Sequence, residues 1–216
     1  MSEKLAVTIW NYKGGVGKST ISLILSQIAA QNNLKVLAVD LDEQKNLAET
    51  LRLSSSIFPN IKVRTELKDE FANEDFDFYV IDTHPAKSEL IINALKFADI
   101  VLVPVLGDYN SLINLSSVWS YIRNSGIGTE QVALIKNCIG ASKVTAEVEA
   151  VLDEQGYSVA GRLPRSNVLL KNIASGDKWD KYMRNNQRTK FIELYENIWS
   201  AYHEMLKGNF SNLWNK

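Results

Sequence analysis

The amino-acid sequence predicts a doubly wound α/β fold, which is a mainly parallel sheet with helices on both faces. Short apolar runs of strand length alternate with segments of helical periodicity along the chain, and such alternation is typical of parallel sheets. A glycine-rich stretch at 13–20 lies between an apolar run and a helical segment. Two apolar runs end in aspartate, at the edge where sheets of this kind bind ligands. We expect one domain over residues 1–216, because 216 residues with 45% hydrophobic content can bury one sizeable core.

The glycine-rich stretch has the sequence context of a phosphate-binding loop. Leu5 to Trp10 is predicted as a strand, and Ser19 to Gln31 as a helix, because its apolar residues recur at helical spacing. Glycines let backbone N–H groups turn towards phosphate oxygens, and the following helix presents its positive end to the same anion. Lys18 is then expected to reach the β and γ phosphates, and Ser19 to hold Mg²⁺. The predicted phosphate contacts are Lys13, Gly14, Gly15, Val16, Gly17, Lys18, Ser19 and Thr20.

The start of this loop departs from the ordinary phosphate-loop pattern. Tyr12 stands where the ordinary loop begins with glycine, and an extra lysine, Lys13, directly precedes the glycine pair. This arrangement resembles the deviant Walker A motif of the ParA/MinD family of ATPases. In that family the additional lysine reaches across a dimer interface to the nucleotide of the other subunit. The resemblance therefore implies an ATP-bound homodimer in which Lys13 and Lys18 both serve catalysis. The alternative is a glycine-rich turn with two solvated lysines, which requires a chance match on the order of one in ten thousand.

Composition limits the other functions that this chain could have. A single cysteine, Cys138, excludes an internal disulfide and fits a reducing cytosol. Proteins that share this loop and hold an iron–sulfur cluster or a metalloid need several cysteines. The two histidines, His84 and His203, lack zinc-ligand spacing. The longest apolar stretch, 100–106, is far short of a membrane span, so we expect a soluble, cytoplasmic protein without a signal peptide.

The second predicted strand, 35–40, leads into the acidic segment Asp40-Leu41-Asp42-Glu43-Gln44. ParA/MinD relatives commonly show Asp-x-Asp-Pro-Gln here, and the resemblance implies that Asp42 positions the attacking water. Glu43 stands where proline is usual, which changes the expected shape of the segment but not its carboxylate. The alternative for both aspartates is the cap of a helix that begins near Gln44. A short strand is expected at 61–65.

The next apolar strand, 76–82, ends at Asp82. An apolar strand ending in aspartate is the Walker B arrangement, in which the carboxylate holds a water of the Mg²⁺ shell. This signal is weak alone and gains weight from the phosphate loop in the same chain. His84 stands where many relatives have proline or a small residue, and we expect it on the surface of a switch loop. A catalytic or sensing role for His84 is the alternative.

Later segments continue the alternation and supply a candidate adenine site. Helices are expected at 88–97, 108–123, 143–155 and 187–206, and strands at 99–105, 131–138 and 157–163. Asn137 ends one strand, and in this superfamily an asparagine there often reads the base, because its amide can both donate and accept. An asparagine in a turn is the alternative. Residues 163–167 (Leu-Pro-Arg-Ser-Asn) resemble the loop that lines one side of the adenine site in ParA-type proteins. The resemblance implies that Pro164 and Arg165 contact the adenine here.

Basic residues are concentrated in the C-terminal part of the chain. The net charge is −1, but residues 162–190 contain eight basic side chains against two acidic ones. Such a patch indicates either a polyanion-binding surface or a solvated helical surface. Members of the ParA branch bind DNA without sequence preference once ATP closes the dimer, so the resemblance implies DNA contacts in this region. The candidates are Lys171, Arg184, Arg188 and Lys190.

The last ten residues, 207–216, form a tail whose apolar residues have helical spacing. MinD-like relatives end in a short basic amphipathic helix that enters the membrane. Only Lys207 and Lys216 accompany the apolar residues here, and Gly208 and several asparagines are poor helix formers. We therefore expect the tail to fold onto its own core, and we do not expect the membrane as a partner.

Together the motifs predict an ATPase that works as a partition switch. The resemblance is closest to small plasmid-type ParA proteins. It implies that two chains form a homodimer when ATP and Mg²⁺ bind, and that this dimer then binds nucleoid DNA. A centromere-binding, ParB-like adaptor is expected to stimulate the slow hydrolysis of ATP. The alternatives are a MinD-like ATPase that cycles on the membrane and a ParA-like protein that positions another cargo. A metabolic phosphate-loop enzyme is a third, which would turn over rapidly with a small-molecule acceptor.

Overall fold

The computed structural model describes residues 3–210 and 213–214, which contain seven strands in one sheet. The strands are β1 (Leu5–Ile9), β2 (Val36–Asp40), β3 (Ile61–Arg64), β4 (Phe78–Asp82), β5 (Ile100–Leu106), β6 (Val132–Ile139) and β7 (Val159–Pro164). Their order is β3-β2-β4-β1-β5-β6-β7, and every neighbouring pair is parallel. The doubly wound α/β prediction is confirmed.

The described part of the chain contains seven α-helices. They are α1 (Lys18–Gln31), α2 (Asn46–Leu53), α3 (Glu89–Phe97), α4 (Tyr109–Asn124), α5 (Lys143–Glu154), α6 (Asn167–Ala174) and α7 (Asn185–Leu206). Short 3₁₀ helices lie at 69–73 and 129–131. Four α-helices start where a side-chain oxygen accepts a hydrogen bond from a backbone N–H three residues later: these caps are Ser88, Asp108, Ser142 and Ser166. Helix α6 was not predicted from the sequence.

Helices cover both faces of the sheet, and a hydrophobic core lies on each side. On one face α1 and α7 pack around residues such as Phe78 and Ile198. On the other face α3, α4 and α5 enclose residues such as Val103 and Leu115. Strands β1, β2 and β4 are buried along their whole length, as expected for parallel strands between two helical layers.

The tail after α7 packs in part against the sheet core. Leu213 is buried in the cluster that contains Ile198, and Trp214 lies against the same cluster, whereas Phe210 is half exposed. The expected folding of the tail onto the core is therefore observed for 213–214, and Lys216 lies outside the described residues. Among the helices that the structure describes, none has the length and apolar content needed to cross a membrane.

Candidate functional site

A cavity of about 440 Å³ opens beside the loop that follows β1. Strand β1 lies between β4 and β5. After β1 the chain forms β2, β3 and β4 on one side of it, and then β5, β6 and β7 on the other side. The crevice is therefore at the topological switch point, where doubly wound sheets bind ligands. The loop glycines and Lys18 line the cavity together with Asp42 and Pro85, from the loops after β2 and β4.

The loop backbone has the shape that a phosphate cradle requires. Gly15 and Gly17 adopt φ values of 74° and 93°, in the left-handed region that favours glycine. A Cβ added at Gly17 would lie 2.3 Å from the amide nitrogen of Asn137, so a larger residue does not fit. Helix α1 begins directly afterwards at Lys18, and its first turn lines the cavity with N–H groups that suit an anion.

Asn11, which sequence reasoning did not single out, fixes the start of the loop. Its side-chain oxygen accepts a hydrogen bond from the backbone N–H of Lys13 at 2.9 Å, and its amide nitrogen donates to the carbonyl of Pro104 at 2.9 Å. In turns, the side chain of asparagine commonly accepts a hydrogen bond from the backbone N–H two residues ahead. An asparagine directly before the loop could therefore have predicted this contact from the sequence. Asn11 thereby ties the phosphate loop to β5.

Lys18 is buried beside the cavity. It is 7% exposed, and its Nζ lies 3.3 Å from the carbonyl oxygen of Lys13. Burial lowers the pKa of Lys18, while the nearby carboxylates of Asp82 and Asp42 act in the opposite direction. A phosphate group in the cavity would supply further negative charge and stabilise the ammonium.

Asp82, at the end of β4, is completely buried, and part of its carboxylate has no hydrogen-bond partner. One oxygen accepts a hydrogen bond from the hydroxyl of Ser22 at 3.1 Å, whereas Oδ2 has no partner among the described residues. Burial raises the pKa of Asp82 to about 7, although the neighbouring hydroxyls of Ser19 and Ser22 oppose the shift. A buried carboxylate oxygen without a donor, beside a hydroxyl, suits a hard cation such as Mg²⁺. The residues present therefore fit this ion.

The two aspartates that follow β2 differ in their surroundings. Asp40 is buried and accepts hydrogen bonds from the backbone N–H groups of Ala48 at 2.9 Å and Asp42 at 3.1 Å. Burial raises the pKa of Asp40. Asp40 therefore stabilises the first turn of α2, which is the capping alternative. Asp42 is partly exposed, accepts a hydrogen bond from the backbone N–H of Gln44 at 2.9 Å and lines the cavity.

Lys13 is held outside the cavity by the start of α4. Its ammonium lies 3.1 Å and 3.3 Å from the two carboxylate oxygens of Asp108, and 3.0 Å from the hydroxyl of Ser111. Partial burial works against ionisation of Asp108, but hydrogen bonds from Ser111 and Lys13 hold its pKa below the usual value. The Lys13 side chain remains 25% exposed. The two lysines of the loop thus occupy different environments.

A second cavity, of about 340 Å³, adjoins the phosphate loop. The three residues predicted to surround adenine, Asn137, Pro164 and Arg165, all line it, together with Gly17 and Thr20 of the loop region. A purine ring in this cavity would lie next to phosphates held by the loop. The contacts of these residues with a base stay a prediction.

Asn137 also supports the phosphate loop directly. Its amide nitrogen donates to the carbonyl of Val16 at 2.7 Å, and its side-chain oxygen accepts from the backbone N–H of Cys138 at 2.9 Å. Both ends of the amide are therefore already bonded within the chain. The second hydrogen of the amide nitrogen and the second lone pair of the side-chain oxygen are what Asn137 can offer to a base without breaking these bonds.

His84 lies on the loop after β4 and is partly exposed, and its ring also contacts the neighbouring loop. Its Nδ1 lies 3.3 Å from the carbonyl oxygen of Leu41. The loops after β2 and β4 run side by side here, because the backbone N–H of Leu41 donates to the carbonyl of Asp82 at 2.9 Å. His84 therefore joins the loop that carries Asp42 to the loop that follows Asp82.

The residues predicted to contact DNA lie on α6, on α7 and immediately before α7. Arg188 and Lys190 form ion pairs with acidic neighbours, at 3.0 Å and 2.7 Å. Lys171 and Arg184 are exposed and form no ion pair with any residue in the ranges that the structure describes. The charge available to a polyanion is therefore smaller than the count of basic residues indicates.

Comparison with known proteins gives one family and several similar chains. The profile of the CobQ/CobB/MinD/ParA nucleotide binding domain matches residues 7–179. The chain is 27% identical over 140 residues to the chromosome-partitioning ATPase Soj of Thermus thermophilus, which covers 49% of this chain and 56% of that relative. It spans between 56% and 64% of the length of the first curated relatives that it matches.

Two solved structures illustrate the shared fold. A putative plasmid partition protein of Borrelia burgdorferi, bound to AMPPNP, superposes with a TM-score of 0.75 at 18% identity, covering 91% of this chain and 98% of that chain. The MinD cell division protein of Aquifex aeolicus superposes with a TM-score of 0.77 at 18% identity, covering 90% and 97%. At these identities the similarity establishes the fold alone.

Proposed function

Because this chain belongs to the CobQ/CobB/MinD/ParA family of nucleotide-binding proteins, we propose that it is an ATP-dependent partition switch. ATP and Mg²⁺ bind beside the phosphate loop, and two chains then pair face to face around two nucleotides. The dimer binds DNA without sequence preference, and ATP hydrolysis reopens it. Relatives that carry partition names support this choice within the family.

The observation that carries the proposal is the different placement of the two loop lysines. Lys18 is buried at the cavity, whereas Lys13 is paired with Asp108 and does not line the cavity. A phosphate loop that acts alone uses one lysine on the phosphates. A partly exposed ion pair contributes only about 0–1 kcal/mol, so the γ phosphate of a facing nucleotide can displace Asp108. Lys13 would then couple nucleotide binding to pairing of the chains.

The residues around the cavity have the chemistry needed to transfer a phosphoryl group to water. Asp42 lines the cavity and uses one oxygen to accept from Gln44, and we assign the orientation of the attacking water to its carboxylate. Asp82 and Ser19 would hold Mg²⁺, which neutralises negative charge on the phosphate oxygens when bound. The adenine is assigned to the second cavity.

Slow, partner-stimulated hydrolysis follows from the same arrangement. Lys13 is outside its own chain's cavity, so the complete set of catalytic groups forms only when a second chain closes on the nucleotide. We assign further acceleration to a centromere-binding, ParB-like adaptor that meets the DNA-bound dimer. The protein would then work in the cytoplasm, on the nucleoid.

DNA binding is assigned to the exposed basic side chains of α6 and the segment before α7. Lys171 and Arg184 are the stronger candidates, since each is exposed without an ion pair to a described residue. Arg188 and Lys190 would first have to leave their acidic neighbours. Contacts with phosphates release counterions, so binding should weaken steeply between about 50 and 200 mM salt.

Sedimentation with plasmid DNA or anionic liposomes tests the proposal. We expect retention on DNA with ATP but not with ADP, and loss of that retention in Lys13→Gln. Lys143→Gln is the matched control, because Lys143 is 92% exposed and lines neither cavity, and it should behave as the unmodified chain.

Three outcomes would contradict the proposal. Light scattering that finds the chain monomeric with ATP, ADP or no nucleotide would remove the switch. Retention on liposomes but not on DNA would favour a membrane-cycling ATPase. Rapid turnover that depends on a small-molecule acceptor would favour a metabolic enzyme.

A further inference from the structure

The peptide between Leu41 and Asp42 is held at both ends. Its carbonyl oxygen lies 3.3 Å from Nδ1 of His84, and its N–H donates to a carboxylate oxygen of Asp40 at 3.1 Å. The backbone N–H of Leu41 also donates to the carbonyl of Asp82 at 2.9 Å. Because a peptide unit is planar, fixing both ends sets the position of the Asp42 Cα, and the bond from the backbone N–H of Lys45 to the Asp42 carbonyl at 3.1 Å restricts the backbone on its other side.

His84 lies on a loop that is itself firmly attached to β1. The hydroxyl of Thr83 donates to the carbonyl of Ile9 at 2.7 Å, and the indole N–H of Trp10 donates to the carbonyl of Ala86 at 3.1 Å. The backbone N–H of Ala86 closes a tight turn on the carbonyl of His84 at 2.9 Å. The loop after β4 therefore provides a fixed support for the neighbouring loop after β2.

Beyond Leu41, the bonds that Asp42 itself forms are local, so the contact with His84 adds to the attachment of Leu41 to Asp82. Asp42 bonds forward to the backbone N–H groups of Gln44 and Lys45, at 2.9 Å and 3.1 Å. These bonds give the segment its turn but do not place it against the rest of the protein. Glu43, which is exposed, also lacks the fixed φ angle that a proline would supply at this point.

The contact determines which nitrogen of the imidazole carries a proton. A carbonyl oxygen only accepts hydrogen bonds, so the proton must be on Nδ1 of His84. The amide nitrogen of asparagine can occupy the same position as Nδ1, at the same distance from the backbone. The amide of glutamine lies one methylene further out, close to the position of Nε2, and cannot copy this contact without rearrangement.

We propose that His84 is a positioning residue for ATP hydrolysis: its Nδ1–H holds the carbonyl of Leu41 and thereby aims the carboxylate of Asp42 into the phosphate cavity. This inference rests on the proposed function, in which Asp42 orients the attacking water. His84 does not itself line the cavity, so it acts on the rate of hydrolysis and not on the binding of ATP.

Single-turnover hydrolysis by the full chain, measured with saturating protein over labelled ATP, tests this role. We expect His84→Ala and His84→Gln to hydrolyse ATP about 10-fold more slowly, and His84→Asn to stay within about 3-fold of the unmodified chain. The dissociation constant for ATP should be the same in all four proteins. His203→Ala is the matched control, because His203 lies on α7 in contact with Glu3, away from the cavity, and should have no effect.

A double-variant comparison separates positioning of Asp42 from a general structural role. If His84 acts through Asp42, then His84→Ala should cause no further loss in a chain that already carries Asp42→Asn. Thermal melting of each variant checks that it is folded, and the Asn and Gln variants keep the test usable if His84→Ala unfolds.

The inference fails if His84→Ala hydrolyses ATP at the unmodified rate, if His84→Asn is as slow as His84→Ala, or if the two losses simply add. It also fails if ATP affinity falls together with the rate. An unmodified chain that hydrolyses no ATP at all would overturn the proposed function itself, and with it this role for His84. Unmodified hydrolysis together with unaffected His84 variants would overturn the inference alone.

Discussion

Replacing Asp82 with asparagine should change how protein stability depends on pH. Burial raises the pKa of Asp82 to about 7 in the folded chain, from 3.8 for an exposed carboxyl group. As the pH rises from 3.8 towards 7, the Asp82 carboxyl group loses its proton in the unfolded chain but keeps it in the folded chain, so the free energy of unfolding falls. The loss is complete just above pH 7. The asparagine side chain of the variant cannot ionise, so the variant lacks this loss.

The size of the effect follows from the two pKa values. Each pH unit between them corresponds to about 1.4 kcal/mol, so burying the ionised carboxylate costs about 4 kcal/mol in total. Between pH 5 and pH 8 the contribution of Asp82 to the free energy of unfolding should fall by about 2–3 kcal/mol. Any fixed cost of burying the new amide is the same at both pH values and cancels in the comparison.

Urea denaturation measures this difference, with tryptophan fluorescence as the signal and with EDTA and no nucleotide present. We expect the unfolding free energy of Asp82→Asn, relative to the unmodified chain, to rise by about 2–3 kcal/mol from pH 5 to pH 8. Asp75→Asn is the control: Asp75 is exposed and its pKa is lowered by Lys35, so no trend is expected in this range. A difference between Asp82→Asn and the unmodified chain that stays within about 0.5 kcal/mol across the range would refute the reasoning.

Three further predictions concern the loop and its surroundings. Gly17→Ala should lower the free energy of unfolding by at least about 1–2 kcal/mol in urea titrations, because position 17 has a φ of 93° and the new Cβ would lie 2.3 Å from the Asn137 amide nitrogen. Gly14→Ala is the control and should lower it much less, because nothing lies within 4 Å of a Cβ added there. Asp108→Asn removes the carboxylate that holds the first loop lysine, so half-maximal dimer formation in ultracentrifugation should need several-fold less ATP, and an unchanged or higher requirement would contradict this. Asp42→Ala should lower kcat for ATP hydrolysis at least about 100-fold while ATP-dependent dimer formation persists, and equal loss of both would show that Asp42 serves binding instead.

The sequence was sufficient for features that depend on neighbouring residues. The strand, the glycine loop and helix α1 were predictable because strand and helix periodicities and the glycine requirement are local properties of the backbone. The acidic ends of β2 and β4 were visible for the same reason. Helix α6 was missed because its eight residues are too few to show a clear helical period beside a proline-containing loop.

Residue identity alone did not separate side chains of the same type in different surroundings. Asp40 and Asp42 are two residues apart, yet Asp40 is buried against α2 and Asp42 lines the cavity. Asn11 was overlooked, and the contact of His84 with Leu41 was not anticipated, because the partners Pro104 and Leu41 are distant in the sequence.

The sequence by itself determined that the chain is a doubly wound α/β protein with a two-lysine phosphate loop. Only the tertiary structure decided which side chains meet: Lys13 and Asp108 are 95 positions apart, and Leu41 and His84 are 43 apart. The physical reason is that hydrogen-bonding periodicity acts over a few residues, whereas contacts between loops depend on strand order. Because β4 lies between β1 and β2, and β5 lies on the other side of β1, the loops after these strands converge on one edge of the sheet.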